Sequence, residues 1–500
     1  MRRRLLPALA AAALLALLPA AADAQIAWQR CADEGFGAFE CGRATVPLDR
    51  SGGLPGTIEL FARRLVAPQN PNRSAVVVLS GGPGQAATPL AAQVAEAIAP
   101  GLGDRDLLVF DQRGTGSSAP LRCDSLRRRL TSRERAAQCA NEIGPQRAFF
   151  RTPDSVADIE DLRVAAGYER LVLMGTSYGT KVALAYASRH PDRVERLILD
   201  SVVTPEGPDP LQRSSLAAVP RVLGALCGDG RCRGITADPV GDVRRVVARG
   251  TLRGRYVTAR GRIRRGTLDE PAIYSLLLDG DTNPAWRALT PGALRAAARG
   301  DETPLLRLAS AVLERGGAQV PTSTVNDALF ITTICEELPF PWDRAAGADQ
   351  RADQAVAAIN GLSPGTLSPF TRETVAGTGV LGDCVGWPNA SPPPEPPGEL
   401  PRVPALILAG EGDLRTPLED AANVAGRLGA TPVAVPHTGH SVLGRDFSRC
   451  AVAAVAAFFR DGSTPGCPAS DPPVFPVSRP PLSLREVPAA RRYRGKVGRT

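Results

Sequence analysis

Five short runs of Val, Ile and Leu, each bounded by Gly, Pro or Asp, constrain this chain more than any other feature. They are residues 75–80 (AVVVLS), 107–111 (LLVFD), 171–175 (LVLMG), 197–200 (LILD) and 405–410 (ALILAG), and helical patterns separate them. A strand that is apolar on both faces must be covered on both, and helical connections return the chain to run parallel to itself. Residues 57–65 alternate as an antiparallel strand does, and 432–436 (PVAVP) reads as the last strand. The predicted fold class is α/β, a mostly parallel sheet with helices on both faces.

The spacing of the strands is uneven. Five elements precede residue 204, and the next core strand begins near Pro404. Between them lies Arg- and Ala-rich sequence with helical patterns at 291–298 and 345–359. This predicts a large, mainly helical cap insertion over 205–395, with the core split into 25–204 and 396–467. Residues 391–397 (SPPPEPP) read as the linker returning to the core. Residues 468–500, Pro-rich and then Arg-rich with little apolar periodicity, are expected to be disordered.

Residues 1–24 have the layout of a secretory signal peptide: Arg2, Arg3 and Arg4, an apolar run over 5–18, then Ala22-Asp23-Ala24 as a cleavage site. The apolar run is shorter than the roughly 20 residues a spanning helix needs, and no later stretch suffices either. An exported chain with ten cysteines favours disulfides. Sequence neighbours suggest Cys31–Cys41, Cys123–Cys139, Cys227–Cys232 and Cys450–Cys467, leaving Cys335 with Cys384. With no CxxC and only three histidines, no metal or organic cofactor is expected. The formal charge of +8 does not indicate nucleic-acid binding. Residues 1–24 carry a net +2 and residues 468–500 a net +5, leaving +1 for the body.

Gly175-Thr176-Ser177-Tyr178-Gly179 follows the run LVLM and precedes a helical pattern. A G-x-S-x-G at a strand-to-helix junction makes a nucleophile elbow, with a strained Ser projecting above the sheet. Ser80-Gly81-Gly82-Pro83-Gly84 follows an earlier strand, where glycines let backbone N–H groups approach an oxyanion closely. The N–H groups of Gly82 and Tyr178 are the expected donors. Of the histidines, His190 suits a helix C-terminus, whereas His437 and His440 both follow the last strand. His440 is favoured as the base. The acid should fall between Ser and His, and Asp413 follows the strand ALILAG in a tight turn; Glu411 and Asp200 are its rivals. Asp111 and Arg113, in the turn after LLVF, are expected to be structural.

Five pieces resemble the α/β-hydrolase peptidases, namely proline iminopeptidases and, more closely, secreted tripeptidyl aminopeptidases. They are GGPG (81–84), DQRGTGSS (111–118), GTSYGT (175–180), GEGDLRTP (410–417) and TGH (438–440). The resemblance implies the α/β-hydrolase fold and removal of residues from a free peptide N-terminus through an acyl-enzyme. It also implies acidic side chains from the cap near the substrate's ammonium group, for which Glu336 and Glu337 are the candidates. Ser80 stands where the family usually has His. The expected partner is a peptide or a small ester. An esterase on the same triad, and a binding protein on a hydrolase scaffold, are the rival readings.

Overall fold

The computed structural model describes residues 25–258, 262–316, 324–388, 392, 394, 395, 397–468, 473 and 475–478. The expected signal peptide lies outside these residues, as do nearly all of the expected disordered tail and part of the 391–397 linker.

Seven strands form in the first half: β1 (Gln29–Arg30), β2 (Glu40–Pro47), β3 (Thr57–Leu65), β4 (Ser74–Leu79), β5 (Asp106–Phe110), β6 (Arg170–Thr176) and β7 (Val194–Asp200). A hairpin of β8 (Leu252–Val257) and β9 (Ile263–Leu268) stands apart, and β10 (Ala405–Gly410) and β11 (Pro432–Val435) complete the main sheet. The nine-stranded sheet has the order β1-β2-β3-β5-β4-β6-β7-β10-β11. From β5 to β11 every pairing is parallel, while β2, β3 and β5 pair antiparallel. This is the α/β-hydrolase fold. Every strand expected from the sequence is present. β1 and β2 were not expected: β2 (ECGRATVP) lies towards the sheet's edge and buries only alternate residues, so it lacks the long apolar run that marked the others.

The two faces of the sheet are sealed by alternate residues of the same strands, as the two-residue period of a strand requires. Val76, Val78, Leu107, Val109, Val172 and Met174 pack on one side with Ile98, Phe458 and Phe459 of the helices Ala91–Leu102 and Cys450–Asp461. Val77, Leu79, Leu108, Leu171 and Leu173 face the helices Thr152–Ala166 and Tyr178–Arg189 on the other.

β7 and β10 are hydrogen-bonded neighbours although residues 201–404 separate them in sequence. That excursion is mainly helical but also contains the β8–β9 hairpin, which pure helix patterning did not anticipate. Its helices include Glu270–Thr282, Pro284–Ala298, Thr303–Gly316 and Asp327–Glu337. All five disulfides form with the expected pairing. Among the described residues, no helix is long and apolar enough to cross a membrane.

Candidate active site

Ser177 occupies the single residue between β6 and the helix Tyr178–Arg189, at φ 54° and ψ −125°. A positive φ on a residue with a Cβ costs on the order of 1–3 kcal/mol, so its neighbours must hold it there. The Ser177 N–H donates to the Asp200 carbonyl at 2.9 Å, and Thr180 donates to the Ser177 carbonyl from its N–H at 2.8 Å and its hydroxyl at 2.6 Å. The flanking glycines are required by contact. A Cβ at Gly179 would overlap the Leu79 carbonyl oxygen, and one at Gly175 would lie 2.6 Å from the Gly179 carbonyl oxygen. Ser177 therefore stands half-buried at the C-terminal edge of the sheet, over a helix N-terminus that favours negative charge.

The loop after β4 presses against it. A Cβ at Gly81 would lie 2.8 Å from Ser177 Cβ. Gly82 adopts φ 107° before a cis Pro83. Tyr178 is the first residue of its helix, so its N–H has no partner one turn back and is left for other acceptors. Its ring is buried, and its hydroxyl bonds the Thr152 hydroxyl at 2.8 Å.

At the same edge, Asp413 follows β10 and His440 follows β11. Asp413 Oδ2 lies 2.9 Å from His440 Nδ1 and accepts the Thr416 hydroxyl at 2.7 Å. Its Oδ1 accepts the N–H groups of Arg415 at 2.9 Å and Thr416 at 3.0 Å. Complete burial works to raise the Asp413 pKa, but the His440 interaction and these bonds outweigh it and hold the carboxyl below its ordinary value. His440, not His437, meets the carboxylate. His437 accepts Arg287 on its carbonyl and donates its N–H to Glu411, which does not reach His440. No hydrogen bond joins Ser177 to His440 in this structure.

Three residues that sequence reading did not single out for this purpose fix the two loops. Asp281, at the end of the helix Glu270–Thr282, accepts the His440 N–H on its carbonyl at 3.1 Å. Its carboxyl accepts the N–H groups of Leu414 at 3.0 Å and Arg415 at 3.2 Å. One residue of the excursion thus clamps both the acid turn and the base loop. Burial, and then the Asp413 charge, push the Asp281 carboxyl well above its ordinary value. Arg287 donates to the carbonyls of His437 at 2.7 Å and Gly412 at 3.4 Å. Asp200, read as a rival acid, accepts the N–H groups of Val442 at 2.7 Å and Leu443 at 3.0 Å and braces the loop from the core side. No local motif marks Asp281 or Arg287. Their role exists only once the excursion folds back.

Glu336 and Glu337 close the helix Asp327–Glu337 and are buried, at 1% and 5% exposure. Neither is an open carboxylate. Glu336 bonds Trp387 Nε1 at 2.7 Å and pairs with Arg147 at 3.2 Å. Glu337 pairs with Lys181 of the elbow helix at 2.8 Å and accepts the Thr152 N–H at 2.9 Å. Both already hold a cation of the chain itself, which suits fastening the excursion to the elbow better than contact with an ammonium group. In the turn after β5, Asp111 caps the backbone of Ala87, Thr88 and Ser117, and Arg113 pairs with Asp158 at 2.5 Å. Both are structural, but with separate partners. Among the described residues, no cluster of His, Cys, Asp and Glu is arranged to hold a metal ion.

Residues 74–226 match a family model described as alpha/beta hydrolase fold, and residues 368–470 match one described as TAP-like protein. The chain is 30% identical over 212 residues to a tripeptidyl aminopeptidase of Streptomyces lividans, covering 37% of this chain and 40% of that relative. It therefore spans well under half the length of the tripeptidyl aminopeptidases it matches. It is 25% identical over 466 residues to the serine protease Hip1 of Mycobacterium tuberculosis, covering 85% of this chain and 86% of that one. It is also 27% identical over 467 residues to the carboxylesterase B of Mycobacterium tuberculosis, covering 85% of each. The sheet and its elbow have the α/β-hydrolase fold, and residues 368–470 are similar to the TAP-like proteins.

Proposed function

We propose that this chain is an exported serine hydrolase, an aminopeptidase that releases N-terminal residues or short peptides through an acyl-enzyme on Ser177. The observation that carries this reading is the 2.9 Å pairing of Asp413 with His440 at the sheet edge where strained Ser177 stands. Asp413 fixes the imidazole with its proton on Nδ1, which leaves Nε2 free to act as base. Ser177 Oγ attacks the scissile carbonyl and gives its proton to His440. The oxyanion is held by the N–H groups of Gly82 and Tyr178. As the tetrahedral adduct collapses, the amine leaves with the proton from His440. Water then attacks the ester by the same route, and Ser177 recovers its proton. The residues over 205–395 act as the cap. Export is supported by the five disulfides and by the leader-like residues 1–24.

The peptidase reading draws on the relatives named tripeptidyl aminopeptidase and serine protease. Ester hydrolysis is a second reading, favoured by the relative named carboxylesterase. A panel of aminoacyl and tripeptidyl anilides separates the two. Cleavage of free anilides, abolished by N-acetylation, is expected of the aminopeptidase. Equal rates on blocked and free substrates, or cleavage of esters alone, would overturn it.

A further inference from the structure

The body of the chain is almost neutral, yet one hairpin within it is strongly basic. Residues 252–268, the β8–β9 hairpin, contain six arginines and no Asp or Glu. The register pairs Arg253 with Thr267, Arg255 with Arg265, and Val257 with Ile263. Residues directly opposite share a face, as do residues two apart on one strand. These six therefore form one face, while Gly254 and Gly266 on the other lie against Leu306 of the helix Thr303–Gly316. Arg253, Arg255, Ile263, Arg265 and Thr267 are exposed, and Val257 is half-buried.

Two features of this face oppose the stability of an isolated hairpin. Arg255 stands directly across from Arg265, and like charges so placed repel. Glu302, whose Cβ lies beside Gly254, is bonded to Arg249 and does not offset them. Ile263 is 61% exposed, more than any other large hydrophobic residue among those described. Among the described residues no carboxylate pairs with Arg253, Arg255 or Arg265, and arginines so placed beside an exposed Ile are matched to a partner that supplies both anions and an apolar layer.

We propose that this face of the hairpin docks on anionic phospholipid. Arginine forks bind phosphate through paired N–H donors, and Ile263 and Val257 enter the headgroup–acyl boundary beside them. A nucleic acid would leave Ile263 without a role, and the face offers no aromatic ring for a base to stack on; Tyr256 belongs to the opposite face. The proposal does not depend on the hydrolase reading.

The test is flotation of the purified chain with phosphatidylcholine vesicles containing about one third phosphatidylglycerol, against pure phosphatidylcholine, at low and high salt. Binding to the anionic vesicles alone, released by salt, is expected. Replacing Arg253, Arg255 and Arg265 together by Gln should lower the partition coefficient roughly fivefold per arginine, on the order of a hundredfold in all. The same three changed to Lys keep the charge without the fork and should lose less than the Gln variant does. Ile263→Ser should weaken binding severalfold at unchanged salt dependence. All these positions are exposed, so melting temperatures should not fall below that of the parent chain. Failure of the parent to bind anionic vesicles, equal binding by the Gln variant, or stronger retention on a single-stranded oligonucleotide than on the vesicles would overturn the proposal.

Discussion

The two halves of the candidate active site are built on different principles. The nucleophile half is positioned by backbone. Ser177 is held at positive φ because strand, helix and the Gly81 loop meet where only glycines fit around it. The acid–base half is positioned by side chains and by a distant part of the chain. Asp413 and His440 sit on separate loops, and Asp281, Arg287 and Asp200 hold those loops in register. A site half made of steric necessity and half of long-range clamps should fail in two different ways.

The largest effect is expected at the backbone half. Gly179→Ala drives a Cβ into the backbone carbonyl of Leu79, at the end of the central strand β4. A loss of at least about 3 kcal/mol is expected, seen as little folded protein by circular dichroism. Next comes Asp413→Asn, which keeps the packing but favours the wrong imidazole tautomer. Turnover should fall by about 10⁴ with the melting temperature little changed.

Gly439→Ala sharpens the contrast. Its Cβ would overlap the Asp281 carbonyl, which belongs to the excursion and lies outside the main sheet. The fold should persist while turnover drops roughly a hundredfold, the scale of a misplaced catalytic group. If Gly439→Ala unfolds the chain as Gly179→Ala does, the two halves are not distinct.

The smallest effects concern Asp281 itself. Asp281→Ala removes the acceptor for Leu414 and Arg415 and should lower kcat about tenfold, with KM nearly constant. Asp281→Asn keeps a carbonyl oxygen there and should restore most of kcat. Its stability carries the sign of the raised carboxyl. The folded state binds the Asp281 proton more tightly than the unfolded one, so this group's contribution falls as pH rises from the ordinary aspartate range through the folded pKa. Asp281→Asn should therefore raise the melting temperature by a few degrees at pH 8 and by almost nothing at pH 4, measured by scanning calorimetry.

What could be read in advance follows the same division. The elbow was legible because tight packing writes glycines at fixed offsets, and the parallel strands because burial on both faces writes unbroken apolar runs. The order Ser, Asp, His carried the rest of the candidate triad. Asp281 and Arg287 look in sequence like ordinary polar residues near helix ends. The pairing of Glu336 with Arg147 and of Glu337 with Lys181 joins residues more than 150 positions apart. The β8–β9 hairpin was missed because its arginines hide the two-residue period that identifies a half-buried strand.

The most direct test of the account is labelling with a fluorophosphonate probe followed by peptide mass mapping. One adduct on Ser177 is predicted, absent in Ser177→Ala and slowed by orders of magnitude in His440→Ala. An adduct that survives Ser177→Ala, or hydrolysis that continues without Ser177, would contradict it.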